Sequence, residues 1–315
     1  MSSPQLLHSE LLQSPSIWGL YAKALTKGGS LRLGDELPKL SVNLSGVVID
    51  PQHLSAYRDV CGFSSEGSTG SVMPATYLHM LAFPLHMFLL TDARFPAKLL
   101  GTVHVRNRIE VLALVSADDV LDIAVALGEQ RTVASGIEFD IETRISSAGR
   151  DVWRSTSTML YRCKTGLPKS QERKTVETLD NAATWNVPAD IGRRYGAVSK
   201  DINPIHLSAL SAKLFGFKRA IAHGMWTKAK ALSVLEPVLE PVLQAELPEA
   251  VYAVEVEFKR PVFLPGQVQF SYRKDSSSDA KSSTTSNTKP KTLQFVLLDD
   301  KGEVPHLIGS VEKLA

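Results

Sequence analysis

Residues 195–206 read YGAVSKDINPIH, which places Asp201, Asn203 and His206 within one short stretch. An imidazole titrates near neutrality and a carboxylate can hold or polarise a water. Such a pair can therefore take and return protons at neutral pH. Asn203 before Pro204 pairs a helix N-cap with the first helical position, predicting a helix over 204–215 with Gly216 just past its end. Capping accounts for Asn203, Pro204 and Gly216 but not for Asp201 or His206. The turn between those two brings carboxylate and imidazole toward one point.

Further along, AIAHGM (220–225) opens an apolar helical run over 221–235. A helix N-terminus presents unpaired N–H groups and the positive end of the dipole. Gly224 there lets a ligand come close to the backbone, and its N–H could stabilise the enolate-like oxygen of a thioester carbonyl. His223 is expected to cap the helix or to pack beside the loop.

The elements that must position these groups fall into two halves of similar pattern. PADIGRRYGAV (188–198) predicts a short helix that delivers Asp201, with Asp190 in its first turn. The helix of the second half is followed by strand-like segments at 251–258, 268–273, 292–298 and 307–313. In the first half VMPATYLHMLAFPLHMFLLT (72–91) is apolar nearly all round and predicts a buried helix kinked at Pro84. Strand-like segments follow at 102–114, 120–127, 137–144 and 152–161. HVRNRIEV (104–111) and EVEFKRPV (255–262) occupy matching places, the mark of a unit present twice.

A polar connector spans 164–190. The Ser/Thr/Lys-rich segment 275–292 reads as a mobile hairpin insertion. Residues 1–43 read as an N-terminal extension in which SIWGLYAKAL forms a docking helix. The chain of 315 residues carries 35 basic and 33 acidic side chains, net +2, which argues against a general nucleic-acid surface. Its two cysteines, Cys61 and Cys163, make neither a disulfide framework nor a metal site. There is no secretory signal, no run of the roughly 18 apolar residues a membrane span needs, and no GxGxxG, P-loop or zinc spacing. A cytoplasmic protein without metal or redox cofactor is expected.

The run from Tyr195 through Asp201, Asn203, Pro204 and His206, followed by Ala212 and by GF…IAHGM, resembles the hydratase 2 motif of MaoC-like dehydratases, the (R)-specific enoyl-CoA hydratases. The resemblance covers about Leu44 to Ala315 and extends to the mycobacterial-type 3-hydroxyacyl-thioester dehydratases. It implies an α+β chain in the double hot-dog form, in which two antiparallel sheets each wrap a central helix. Residues 44–163 would be a first, non-catalytic hot-dog with an acyl tunnel or plain core along 78–90. Residues 191–315 would be the second, carrying the motif.

The implied activity is reversible hydration of trans-2-enoyl thioesters to (R)-3-hydroxyacyl thioesters in fatty-acid metabolism. Asp201 and His206 would handle the water, Asn203 would order the loop, and the Gly224 amide would serve the oxyanion. Tyr195, Ser199, Lys200 and His223 would flank the substrate. The implied partner is an acyl-CoA or acyl-ACP; a homodimer is possible. A hot-dog acyl-thioesterase and a non-catalytic acyl-binding subunit stand as alternatives. The family usually has Gly where this chain has Lys200. That matters only if the backbone there has positive φ; otherwise Lys200 is free to face the carrier's phosphates. His79 and His86 are expected to be core or rim residues. Arg106, Arg108, Lys259 and Arg260 are either phosphate contacts or an ordinary solvated strand face.

Overall fold

The computed structural model describes residues 7–64, 73–99, 101–168, 176, 178–246, 251–274 and 293–314, with side chains omitted for 240–246. The insertion expected over 275–292 lies outside the described residues.

The first half contains strand β1 (Leu7–Leu11), helix α1 (Ile17–Thr26), β2 (Leu40–Val48), α2 (Pro51–Cys61), α3 (Ala75–Leu90), β3 (Thr102–Val111), β4 (Val120–Val133), β5 (Gly136–Ser147) and β6 (Arg150–Arg162). The second contains β7 (Asn181–Val187), α4 (Ile191–Ser199), α5 (Pro204–Leu207), α6 (Ala209–Leu214), α7 (Gly224–Glu246), β8 (Tyr252–Phe258), β9 (Gly266–Lys274), β10 (Leu293–Asp299) and β11 (Pro305–Lys313). All the strands form one sheet, ordered β1-β2-β4-β5-β6-β3-β8-β11-β10-β9-β7. From β2 to β7 the order is a mirror sequence. β2-β4-β5-β6-β3 is answered by β8-β11-β10-β9-β7, with α2 matching α4 and α3 matching α7. This is the double hot-dog.

The strands form because their apolar residues alternate and so load one face. Leu40, Val42 and Leu44 of β2, and Leu121, Ile123 and Val125 of β4, are all buried. The halves join at the β3–β8 ladder, where Ile109 lies opposite Val254 and Asn107 opposite Val256. Lys228 of α7 is fully buried over this seam, its Nζ donating to Asn107 O (3.2 Å), Asn107 Oδ1 (2.7 Å) and Val254 O (3.0 Å). All three acceptors are neutral, and burial drives the Lys228 pKa well below its ordinary value.

Three expectations need correction or extension. The 164–190 connector contains β7, an edge strand paired antiparallel with β9, with Trp185 stacked on Phe270 at 4.5 Å between ring centroids. Its run NAATWNV lacks the alternation that marks a half-buried strand, because it lies on an edge and is largely exposed. The single helix expected over 204–215 is two. Ser208 is extended (φ −155°, ψ 161°), and its Oγ accepts the Ser211 N–H at 3.1 Å, capping a new helix. As expected, Pro84 lies inside the buried helix α3, which runs on past it to Leu90. Finally, β1 pairs parallel with β2 at the sheet edge, so the N-terminal segment contributes a strand besides its helix. Among the described residues no helix is long and apolar enough to cross a membrane.

Candidate active site

The site is built around the end of α4. Gly192 and Gly196 stand four apart, on one face of that helix. A Cβ on Gly192 would lie 2.0 Å from the His206 carbonyl oxygen, and one on Gly196 would lie 2.9 Å from that of Asp201. Only glycines let the helix pass this close to the loop. His53 of α2 holds the same helix end, bonding Val198 O at 2.8 Å through Nε2.

α4 ends at Lys200, an exposed residue in the left-handed region (φ 61°, ψ 8°). The backbone at this position therefore does need positive φ, and Lys occupies it at a cost of about 1 kcal/mol. Lys200→Gly is expected to raise unfolding stability by up to about 1 kcal/mol without lowering turnover. Denaturant unfolding would show it; a destabilised variant would mean the Lys200 side chain makes a compensating contact.

After this bend the loop is tied down by its own polar groups. The Asp201 N–H donates to Ser199 Oγ (3.2 Å), and the Ile205 N–H to Asn203 Oδ1 (3.4 Å). Asp201 Oδ1 accepts from the Asn203 N–H (3.2 Å) and from the Tyr21 hydroxyl (2.7 Å). Tyr21 comes from α1, the helix that the sequence identified only as a docking element. Nothing in its surroundings, SIWGLYAKAL, signals a partner 180 positions away.

His206 and His223 complete the cluster. Both are buried, and their rings stack at 3.6 Å between centroids. His206 Nδ1 lies 2.8 Å from Ile221 O, and a carbonyl can only accept. Nδ1 must carry the proton, leaving the Nε2 lone pair available. By the same logic His223 Nε2 donates to the Asp201 carbonyl at 2.9 Å, so His223 supports the loop backbone. Its Nε2 is also 3.8 Å from Asp201 Oδ2, while its Nδ1 is buried without a partner among the described residues.

Burial, helped by the adjacent His223, pushes His206 down to about 3, against the opposing pull of Asp201 and the Ile221 carbonyl. Burial lowers His223 as well. For Asp201 burial acts upward, but His223, His206, the Tyr21 hydroxyl and the Asn203 amide outweigh it and hold the carboxyl below its ordinary value. At neutral pH the cluster is one carboxylate beside two neutral imidazoles.

The same physics applies to His86, driven by burial to about 3, and His104, to about 4. The unfolded chain binds protons on these rings below pH ~6.5, where the native state does not. Stability is therefore intact above that pH and lost as pH falls from ~6.5 toward the folded values. The melting temperature should decline steadily from pH 7 to about 4.5; a flat profile would show that the rings protonate in place.

The other expected residues fall as follows. Tyr195 is buried, its ring 6.2 Å from Tyr57 and 5.0 Å from His223, behind the imidazole pair. Gly224 opens α7, and a Cβ there would lie 3.0 Å from the Phe258 ring. Protein packing thus requires a small residue at that point, a reason the sequence did not supply. Phe258 in turn lies 5.1 Å from His104, which feels the Asp201 charge. His79 and His86 are buried against one another at 5.2 Å. Arg106 pairs with Glu138, Arg108 with Glu110 and Glu312, and Lys259 with Glu257. These three cations thus serve strand-face ion pairs.

An Asp201 oxygen and one ring nitrogen each from His206 and His223 lie within 4.8 Å of one another, a spacing that could hold a cation. Two of the four ring nitrogens are already protonated and committed to carbonyls.

A sequence profile described as a MaoC like domain matches residues 167–294. The 3-hydroxyacyl-thioester dehydratase X of Mycobacterium tuberculosis is 35% identical over 235 residues, which is 73% of this chain and 79% of that protein. The crystal structure of HtdX from the same organism aligns with a TM-score of 0.68 at 29% identity, covering 86% of this chain and 99% of that one. A MaoC-like dehydratase of Phytophthora capsici shares the fold, with a TM-score of 0.65 at 15% identity over 88% of this chain and 96% of that one.

Proposed function

The chain belongs to the MaoC-like dehydratase family, and from that premise we propose that it interconverts trans-2-enoyl and (R)-3-hydroxyacyl thioesters, with Asp201 and His206 handling the water. One observation carries the assignment of roles. The Ile221 carbonyl fixes the His206 tautomer, leaving Nε2 unprotonated on a ring that clusters with the Asp201 carboxylate and His223. Polar atoms within 4.8 Å of one another are spanned by a single water.

In the hydration direction, the water oxygen forms a bond to Cβ of the enoyl thioester as one of its protons passes to the dyad. The π electrons move to Cα and the carbonyl, giving an enolate-like oxygen. The Gly224 N–H, at the positive end of the long helix α7, stabilises that oxygen. The proton held by the dyad is then delivered to Cα, and the enzyme returns to its starting state. Dehydration is the reverse. Low basicity suits both groups to transient rather than permanent proton capture: the carboxyl sits below its usual value and the imidazole is neutral.

The test is the ultraviolet loss of the conjugated enoyl thioester, with short and medium trans-2-enoyl-CoA and the corresponding carrier-protein thioesters. Loss with formation of the (R)-3-hydroxy product is expected. Release of free thiol without hydration would point to a thioesterase. No turnover of any of these substrates would indicate an acyl-binding subunit.

A further inference from the structure

We infer that Tyr21 is a positioning residue of this site, aiming the Asp201 carboxylate, and that helix α1 is thereby part of the catalytic machinery. The inference rests on the assignment of Asp201 and His206 above.

Oδ1 of Asp201 receives two donors, the Tyr21 hydroxyl and the Asn203 N–H. Both bonds use the same oxygen, so the carboxylate is locked against rotation. Oδ2 is left turned toward the imidazoles, 3.8 Å from His223 Nε2. A carboxylate held by one backbone amide alone would turn more freely, and Oδ2 would spend less time facing the water. The phenol acts only as a donor, because burial and the neighbouring carboxylate hold its proton on far above neutral pH.

The helix is anchored well enough for this task. Ser16 caps its start, and Leu20, Tyr21 and Met87 form a small buried cluster packed with Ile17, Phe83, Phe88, Leu99 and Ile202. Ile202 follows Asp201 in the chain, so α1 grips the loop by backbone neighbour and side chain together. At the other end Lys27 Nζ bonds Leu90 O (3.0 Å) and Asp92 O (2.7 Å), fastening α1 to the end of α3. A helix that merely covered apolar surface would not need to bury a phenol against a charge.

The titratable groups facing Asp201 are Tyr21 from α1, His104 from β3, Tyr195 from α4, His206 from α5 and His223 ahead of α7. Of these only Tyr21 donates to the carboxylate through its side chain within normal hydrogen-bond distance.

The test is Tyr21→Phe in the full chain, which keeps the ring and its packing. The expected result is an unchanged KM and a kcat lower by about ten- to hundredfold. The acid limb of the pH–rate profile should move upward, and the Asp201 side-chain carboxyl, followed by 13C NMR, should titrate at correspondingly higher pH. Leu121→Ala, a core truncation in β4 away from α1 and the loop, controls for stability: it should lower the melting temperature and leave the acid limb in place. Wild-type kcat with an unmoved carboxyl titration would overturn the inference, as would an equal shift in Leu121→Ala. If the wild-type protein hydrates no enoyl thioester, the functional reading fails, and the carboxyl titration still decides the role of Tyr21.

Discussion

Asp201→Asn is expected to lower turnover of a trans-2-enoyl thioester by roughly 10²-fold or more while the protein still folds. The substitution is nearly isosteric, so Tyr21 and the Asn203 N–H can still find the amide oxygen at their present 2.7 and 3.2 Å. What disappears is the negative charge and one acceptor facing the imidazoles. His206→Gln should cost a similar factor for a different reason. A glutamine can satisfy the Ile221 carbonyl, but it has no second ring nitrogen to present as a base. In the proposed mechanism the two groups handle one proton together, so the double variant should lose little more than either single one. Initial rates beside melting curves would check this. Wild-type turnover in either single variant would remove that residue from the dyad. Multiplying losses in the double variant would mean that the two act independently.

Gly192→Ala is expected to be almost as damaging to activity, although Gly192 would touch no substrate. Its Cβ would lie 2.0 Å from the His206 carbonyl oxygen and 3.0 Å from that carbonyl carbon. Backbone cannot swing aside as a side-chain tip can, so α4 and α5 must separate. Overpacking of this kind typically costs about 1–3 kcal/mol. The displacement passes directly to the imidazole, and a misplacement of about 1 Å in a reacting group can cost 10²-fold in rate. The prediction is a lowered melting temperature together with a loss of turnover larger than the loss of folded protein explains. A variant that melts early yet retains full turnover per folded molecule would show that the loop relaxes elsewhere.

The contrast between these two positions marks what could be read without coordinates. Asp201, Asn203 and His206 could be singled out as candidates because they lie within one stretch, where caps and turns are local chemistry. The apolar stripes of α3 and α7 and the alternation in most strands were legible for the same reason, and the matching halves followed from them. Gly192 was not legible. A glycine in a helix has no sequence mark that tells a close backbone approach from an incidental small residue. β7 escaped because an exposed edge strand carries no alternation. The split at Ser208 escaped because a serine within a helical run reads equally well as interior or as cap.

The sequence by itself determined the fold class, the family motif and the order of the groups expected to do chemistry, since each depends on residues near one another in the chain. Tertiary structure alone decided the left-handed bend at Lys200 (φ 61°), the tautomer of His206 set by the Ile221 carbonyl, the stacking of His223 on His206, and the reach of Tyr21 to Asp201. Each of these is a contact or a backbone angle imposed by packing between segments. No local propensity encodes a hydrogen bond between residues 180 positions apart.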